Sequence, residues 1–231
     1  MYSSPLLMNL RSVGRKLGLN RLASRLFSHG YEDRFGPALL AEVRSGDTVW
    51  DVGANVGLYS VQFAERAGER GRVVAFEPVP ACFAELERAT QGWDGISLVN
   101  VALGSSDGHL TMALEEYALA ATHRVVESRE TASAGGYTEV SVRSAESFVD
   151  EHPELFPNLI KVDVEGFEGA VFDGMQGLLA DPRLRCIGIE VHFGLLQERG
   201  EAATPRKLEQ GLREQDFRVT WTDASHLFAV R

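Results

Sequence analysis

Apolar residues fall along this chain in short continuous runs separated by stretches of helical period, a pattern that predicts a largely parallel sheet covered on both faces. Buried strands are expected at residues 48–52, 72–76, 96–101, 159–164 and 184–191. Helices are expected at 58–67, 80–90, 144–151 and 205–214, with one more after residue 164 carrying Phe167, Ala170, Val171, Leu178 and Leu179 on one face. Residues 109–114 alternate like a hairpin strand behind the turn-rich 104–108, residues 138–142 resume as a strand, and 217–222 with 226–230 read as a terminal hairpin. The fold class is α/β: a doubly wound, Rossmann-like sheet of seven strands, one of them antiparallel, preceded by N-terminal helices broken near Gly30 and Pro37. Residues 1–40 form a helical segment, a lid or a dimer contact, and 41–231 the main domain. Residues 115–139 have no period and end on Gly135-Gly136; a mobile lid and a solvated loop are the two readings.

The chemistry sits where these strands end. The first strand runs through Asp51 and Val52 into Gly53, Ala54, Asn55, Val56 and Gly57, and a helix follows at once. Gly53 and Gly57 lack the Cβ that would hold a ligand away from the backbone. The second strand ends in Phe76-Glu77-Pro78, where the carboxylate can accept both hydroxyls of a ribose. A dinucleotide site needs G-x-G-x-x-G so that a pyrophosphate meets the helix N-terminus. Here the pattern is D-x-G-x-x-x-G, and an Asp beside the pocket suits a ligand carrying ammonium and sulfonium charge. S-adenosylmethionine is therefore favoured over NAD, with a purely structural tight turn as the competing explanation. Asn55 suits either contact with the ligand or the turn itself.

Charge and composition narrow the class. Of 231 residues, the first 30 carry Arg11, Arg15, Lys16, Arg21 and Arg25 and no acid, so the remainder is strongly acidic within a total of −10. An acidic body argues against nucleic acid as a partner. The basic stretch repeats Leu6, Leu10, Val13, Leu17, Leu22 and Leu26 at roughly helical spacing, which fits packing on its own domain or a sister subunit in a homodimer better than contact with a membrane. No apolar run approaches the ~20 residues of a membrane span, and no secretory signal is evident, so a cytoplasmic protein is expected. Cys82 and Cys186 form no C-x-x-C pair and read as buried free thiols.

Three blocks give the chain a family likeness: residues 51–57, then 76–78, then Ile160-Lys161-Val162-Asp163-Val164-Glu165-Gly166-Phe167-Glu168. Over about residues 30–231 it resembles the FkbM family of class I S-adenosylmethionine-dependent methyltransferases, the K-x-D-x-E-G-x-E block being the most specific. The resemblance implies transfer of a methyl group to an oxygen, a hydroxyl of a sugar, lipid or other natural product. It also implies that Asn100 and Ala102, in Asn100-Val101-Ala102-Leu103-Gly104, lie beside the adenine. Ser144-Ala145-Glu146 departs from the Thr-Leu-Asp common among members, which puts any role for that acid in doubt.

Methyl transfer is an in-line displacement in which positioning supplies much of the rate, helped by a base or metal that removes the hydroxyl proton. Strand alternation puts Asp163 and Glu165 on one face and Glu190 and His192 on one face of the next strand end, so the four can meet above the methyl group. His192 is the best single base by its ordinary pKa of ~6.5. Glu165 as a helix cap and Asp163 as a turn former are the structural alternatives. Glu190 either orients His192 or joins Asp163 on Mg²⁺, but no dense ligand set is apparent and no metal is assigned. The histidines at 29, 109, 123, 152 and 226 show no acidic neighbourhood. Tyr31-Glu32 reads as a fold-over segment or an exposed turn, and Arg124 and Arg129 as solvated or as a grip on an anionic acceptor. An NAD-linked short-chain oxidoreductase would need a further glycine and a Tyr-x-x-x-Lys pair, which are absent; a non-catalytic nucleoside-binding protein of the same fold is the third possibility.

Overall fold

The computed structural model describes residues 34–113, 124–125 and 137–231. The basic stretch 1–30, Tyr31-Glu32, Arg129, most of the pattern-poor segment and the side chain of Arg124 lie outside them.

A seven-stranded sheet forms the body. Its strands are β1 (Thr48–Val52), β2 (Arg72–Phe76), β3 (Ile96–Val99), β8 (Leu159–Val162), β9 (Cys186–Glu190), β10 (Arg218–Trp221) and β11 (His226–Val230), in the spatial order β10-β11-β9-β8-β1-β2-β3. All neighbours run parallel except β11, which is antiparallel to both β9 and β10. The doubly wound sheet with one reversed strand is thus as expected. The switch in order lies between β1 and β8, and ligands in such sheets bind beyond the carboxyl ends of the strands at that point.

Period-two alternation divides the core. Trp50 and Val52 of β1 face α4 (Ala145–Glu151), α5 (Glu168–Asp173), α6 (Gln176–Ala180) and α8 (Thr204–Glu214) with Phe76, Phe148, Phe172 and Leu212. Val49 and Asp51 point the other way, where Val49 packs with Phe35, Leu39 and Phe63 of α1 (Phe35–Glu42) and α2 (Leu58–Ala67). Trp50 is fully buried, meets Phe76 and Phe148 edge-on at centroid distances of 5.1 and 5.4 Å, and donates its indole N–H to the Leu155 carbonyl at 2.8 Å. Replacing it with Phe leaves that carbonyl unsatisfied above a void. Urea unfolding is expected to show a loss of ~2–4 kcal/mol; a loss under ~0.5 kcal/mol, the scale of an ordinary surface change, would contradict this account of the core.

Four local expectations change. Helix α1 runs through Pro37 rather than breaking there, because its missing N–H costs nothing in a first helical turn. The single helix expected after residue 164 is two, α5 and α6, parted at Gly174; a Cβ there would stand 1.9 Å from the Gly104 carbonyl oxygen, so the chain must pass too close for a regular turn. A short helix α7 (Phe193–Glu198), not expected, follows β9. Strand β3 stops at Val99, and the next residues leave to start a second sheet. That sheet has the order β4-β7-β5-β6, from β4 (Ala102–Leu103), β5 (Gly108–Ala113), β6 (Arg124–Val125) and β7 (Tyr137–Arg143). Its β5 and β7 are the two alternating segments, paired antiparallel with Met112 opposite Thr138. Met112 and Val140 pack on Val79 and Cys82 of the loop into α3 (Pro80–Ala89) and its first turn, so this small sheet walls one side of the strand ends. Ser144 caps α4 by accepting from the Ser147 amide at 3.0 Å, and Glu146 accepts from the Gly177 amide at 2.6 Å; the residues of the departing block thus join α4 to α6. Among the described residues, no helix is long and apolar enough to cross a membrane.

Candidate active site

Beyond the ends of β1, β2 and β8 lies a cleft of about 300 Å³. Its floor is the turn after β1. Gly53 and Ala54 both donate their amides to the Phe76 carbonyl at 3.0 Å, which folds the turn over the tip of β2. Gly53 has φ +76° and a Cβ there would lie 1.9 Å from the Asp163 carbonyl oxygen, so only glycine fits between the two strand ends. Asn55 takes the left-handed conformation at φ 50°.

Glu77 is nearly buried, and its two oxygens accept the amides of Asn55 and Val79, each at 2.9 Å. Burial raises its pKa above the carboxylate norm, and those two amides pull back against it. Each oxygen keeps a second lone pair for a ligand hydroxyl. Asn100 stands behind, donating to the Glu77 carbonyl at 2.8 Å. The apolar wall comes from Val101, Ala102, Leu110, Met112 and Phe167.

The far wall is a knot of carboxylates around one imidazole. His192 Nδ1 lies 2.6 Å from Glu168 Oε1, and the fully buried Glu168 also accepts the Gly166 amide at 3.0 Å. This hold leaves Nε2 facing Glu165 at 3.3 Å, Asp163 at 3.8 Å and Glu190 at 3.9 Å. Burial by itself would lower the His192 pKa, but the bond to Glu168 and the charges of Glu165, Glu168 and Asp163 push it up to about 9. Oxygens of Asp163 and Glu165 and a ring nitrogen of His192 lie within 4.8 Å of one another, a spacing that either a divalent cation or the imidazolium itself can serve.

The structure therefore brings together Gly53, Asn55, Glu77, Ala102, Asp163, Glu165, Glu190 and His192, all lining the cleft. Three residues expected at the ligand stand behind it. Asp51 is wholly buried on the α1–α2 face, where it accepts Ser60 Oγ at 2.7 Å and pairs with Lys161 at 3.3 Å, so its charge is spent inside the sheet rather than offered to the cleft. The pleat explains this: with Val52 on the cleft side, residue 51 must face away. Gly57 precedes α2 with φ +86°, and Leu86 fills the space its Cβ would need. Asn100 acts through the Glu77 backbone.

Two further expectations are corrected. His192 does not sit at an ordinary pKa, because sequence spacing could not show four carboxylates converging on it. His226 does have acidic company: it is buried, its Nε2 is 3.4 Å from Glu190 and its Nδ1 2.9 Å from Asp223. Burial works against its charge, yet those two carboxylates raise its pKa. The same contact, with His192, holds Glu190 below the usual carboxylate range against its burial. Glu168 was missed as an individual site residue although it belongs to the K-x-D-x-E-G-x-E block; its spacing was the signal available.

A family model described as the methyltransferase FkbM domain matches residues 51–219. The chain is 29% identical over 185 residues to the hexuronic acid methyltransferase AglP of Haloferax volcanii, covering 78% of this chain and 72% of that protein. It is 29% identical over 178 residues to the 31-O-demethyl-FK506 methyltransferase FkbM of Streptomyces tacrolimicus, covering 65% and 67%. Among solved structures, a methyltransferase FkbM from Methylobacillus flagellatus aligns with a TM-score of 0.53 at 14% identity, over 79% of this chain and 43% of that one, a likeness of fold.

Proposed function

This chain belongs to the FkbM methyltransferase family, and from that premise we propose that it moves a methyl group from S-adenosylmethionine to a hydroxyl of a small molecule, a sugar or another natural-product intermediate, in the cytoplasm. The observation that carries the reading is one cleft with the glycine turn and Glu77 at one end and a carboxylate–imidazole cluster at the other. The residues fit the cofactor: Glu77 has lone pairs for the ribose, the Gly53–Asn55 turn exposes backbone for the methionine part, and Val101, Leu110 and Met112 offer a flat apolar surface to the base. Two buried cysteines suit a reducing compartment.

The cofactor supplies an electrophilic methyl on sulfonium; the rest falls to the chain. Asp163, Glu165 and Glu190 orient the acceptor hydroxyl and stabilise the positive charge that develops on its oxygen as the new bond forms. His192, once neutral, takes the proton at Nε2, while Glu168 on Nδ1 fixes the ring and stabilises the imidazolium that forms. Alignment of oxygen, carbon and sulfur accounts for most of the acceleration. The relative named for a hexuronic acid supports a sugar as the acceptor class.

Calorimetry with S-adenosylhomocysteine is the first test. Saturable binding is expected, and none at millimolar concentration would overturn the reading. Glu77→Gln, which loses one charge-assisted bond, is expected to weaken that binding at least about tenfold. Incubation with candidate hydroxyl compounds and mass detection of one added methylene then identifies the acceptor.

A further inference from the structure

Lys161 lies in the most specific block of the chain, yet nothing above requires it to do more than fill a strand position. Its side chain is buried at 5% exposure in the middle of the sheet, opposite Asp51 in β1 and Gly188 in β9. The ammonium reaches three acceptors: Asp51 Oδ1 at 3.3 Å, Asp163 Oδ2 at 3.4 Å and the Gly53 carbonyl at 3.3 Å. The Tyr59 ring lies beneath it, 5.1 Å from its centroid. An ammonium has three N–H donors; in this tripod two of them hydrogen-bond to Asp163 Oδ2 and the Gly53 carbonyl, while the Asp51 leg is an ion pair rather than a hydrogen bond. Neutralising Asp51 would need only one, and Asp51 already has a second partner in Ser60. The other two legs go to the cleft: one to the turn that floors the cofactor end, one to a carboxylate of the acceptor end.

We infer that Lys161 is a positioning residue that ties the Gly53 carbonyl to Asp163, so that settling of the turn around the cofactor and alignment of Asp163 toward the acceptor are one movement. The inference rests on the reading of the cleft as an S-adenosylmethionine site. Lysine suits the task because a compact cation on a jointed stem can serve three acceptors in different directions, whereas a planar guanidinium directs its donors into one plane.

Lysine is rare enough here for direct observation, the chain holding Lys16, Lys161 and Lys207 alone. With lysine labelled by ¹³C at Cε, saturation with S-adenosylhomocysteine is expected to move the Lys161 resonance in the wild-type protein, and Asp163→Asn to reduce that movement. The matched pair Asp51→Asn and Asp51→Asn/Lys161→Met isolates the lysine without leaving a buried charge alone. The double variant is expected to bind S-adenosylhomocysteine at least tenfold more weakly than the single one, and Lys161→Arg to recover only part of the difference. A Lys161 resonance unmoved at saturation, or a double variant binding within twofold of Asp51→Asn, would show that the lysine only balances charge. Should the double variant not fold, the wild-type and Asp163→Asn spectra decide the matter alone. Failure of the wild-type protein to bind at all would instead refute the cofactor assignment.

Discussion

Gly53→Ala is expected to lower affinity for S-adenosylhomocysteine by at least about a hundredfold, near 3 kcal/mol of binding. The added Cβ would stand 1.9 Å from the Asp163 carbonyl oxygen, far inside contact distance, in a backbone conformation at φ +76° that L side chains rarely adopt. The conformation alone costs ~1–2 kcal/mol. Neither strand end can yield cheaply: the Asp163 amide donates to the Val52 carbonyl at 3.0 Å, and the Gly53 amide is held by Phe76. The turn must therefore leave the tip of β2, taking Asn55 away from Glu77. Gly46→Ala is the control, since it shares a positive φ of +89° but has nothing within 4 Å. It is expected to lose ~1–2 kcal/mol of stability and no affinity. A Gly53→Ala protein that binds within threefold of wild type would mean that this turn is not the cradle.

Stability and His192 ionisation are expected to change together as pH rises. The folded pKa of about 9 exceeds the ordinary 6.5, so imidazolium at residue 192 stabilises the fold fully below pH 6.5, and this contribution is lost as pH climbs through 9. The shift corresponds to ~3 kcal/mol. His226 is displaced in the same direction and adds to the slope. Urea unfolding between pH 6 and pH 9.5 should show the decline in wild type, a shallower one in His192→Gln, and NMR titration of the ring should find its midpoint near 9. Glu168→Gln removes the hydrogen-bonded charge that raises the pKa, leaving Glu165 and Asp163 alone to oppose burial, and is expected to bring the midpoint down by at least a unit. A wild-type midpoint at or below 7 would refute the convergence of carboxylates on this ring. If His192 is the base, turnover should rise over the same interval in which stability falls.

Much of the frame was legible because the sheet is built from local signals. Each core strand is a short apolar run, and Gly53 and Glu77 sit where runs end, so both the fold and the turn side of the cleft could be read from spacing. The carboxylate–imidazole side was legible only in its membership. Asp163 with Glu165 and Glu190 with His192 are alternate-residue pairs in sequence, but Glu168 and His226 enter through a turn and through the register of a reversed strand, which pairs His226 directly with Glu190. Periodicity carries no information about such pairings. The placement of Asp51 has the same root: its residue type suits a cationic ligand, but the pleat that turns it toward Ser60 and Lys161 is not visible in residue type. The split of the helix at Gly174 depends on a contact with residue 104, seventy positions away in the chain.

The two thiols offer an optical stopwatch for opening of the molecule. Cys82 lies in the cleft wall with its pKa pushed up to about 11 by burial and by Glu77, while Cys186 begins a central strand and is raised further by its own burial. Neither should react with a chromogenic disulfide in the closed state. Local parting of the small sheet from α3 uncovers only the first, whereas the second waits for dissolution of the whole body. Two separate colour-release phases would then time breathing of the nucleoside chamber against global collapse, without an attached dye.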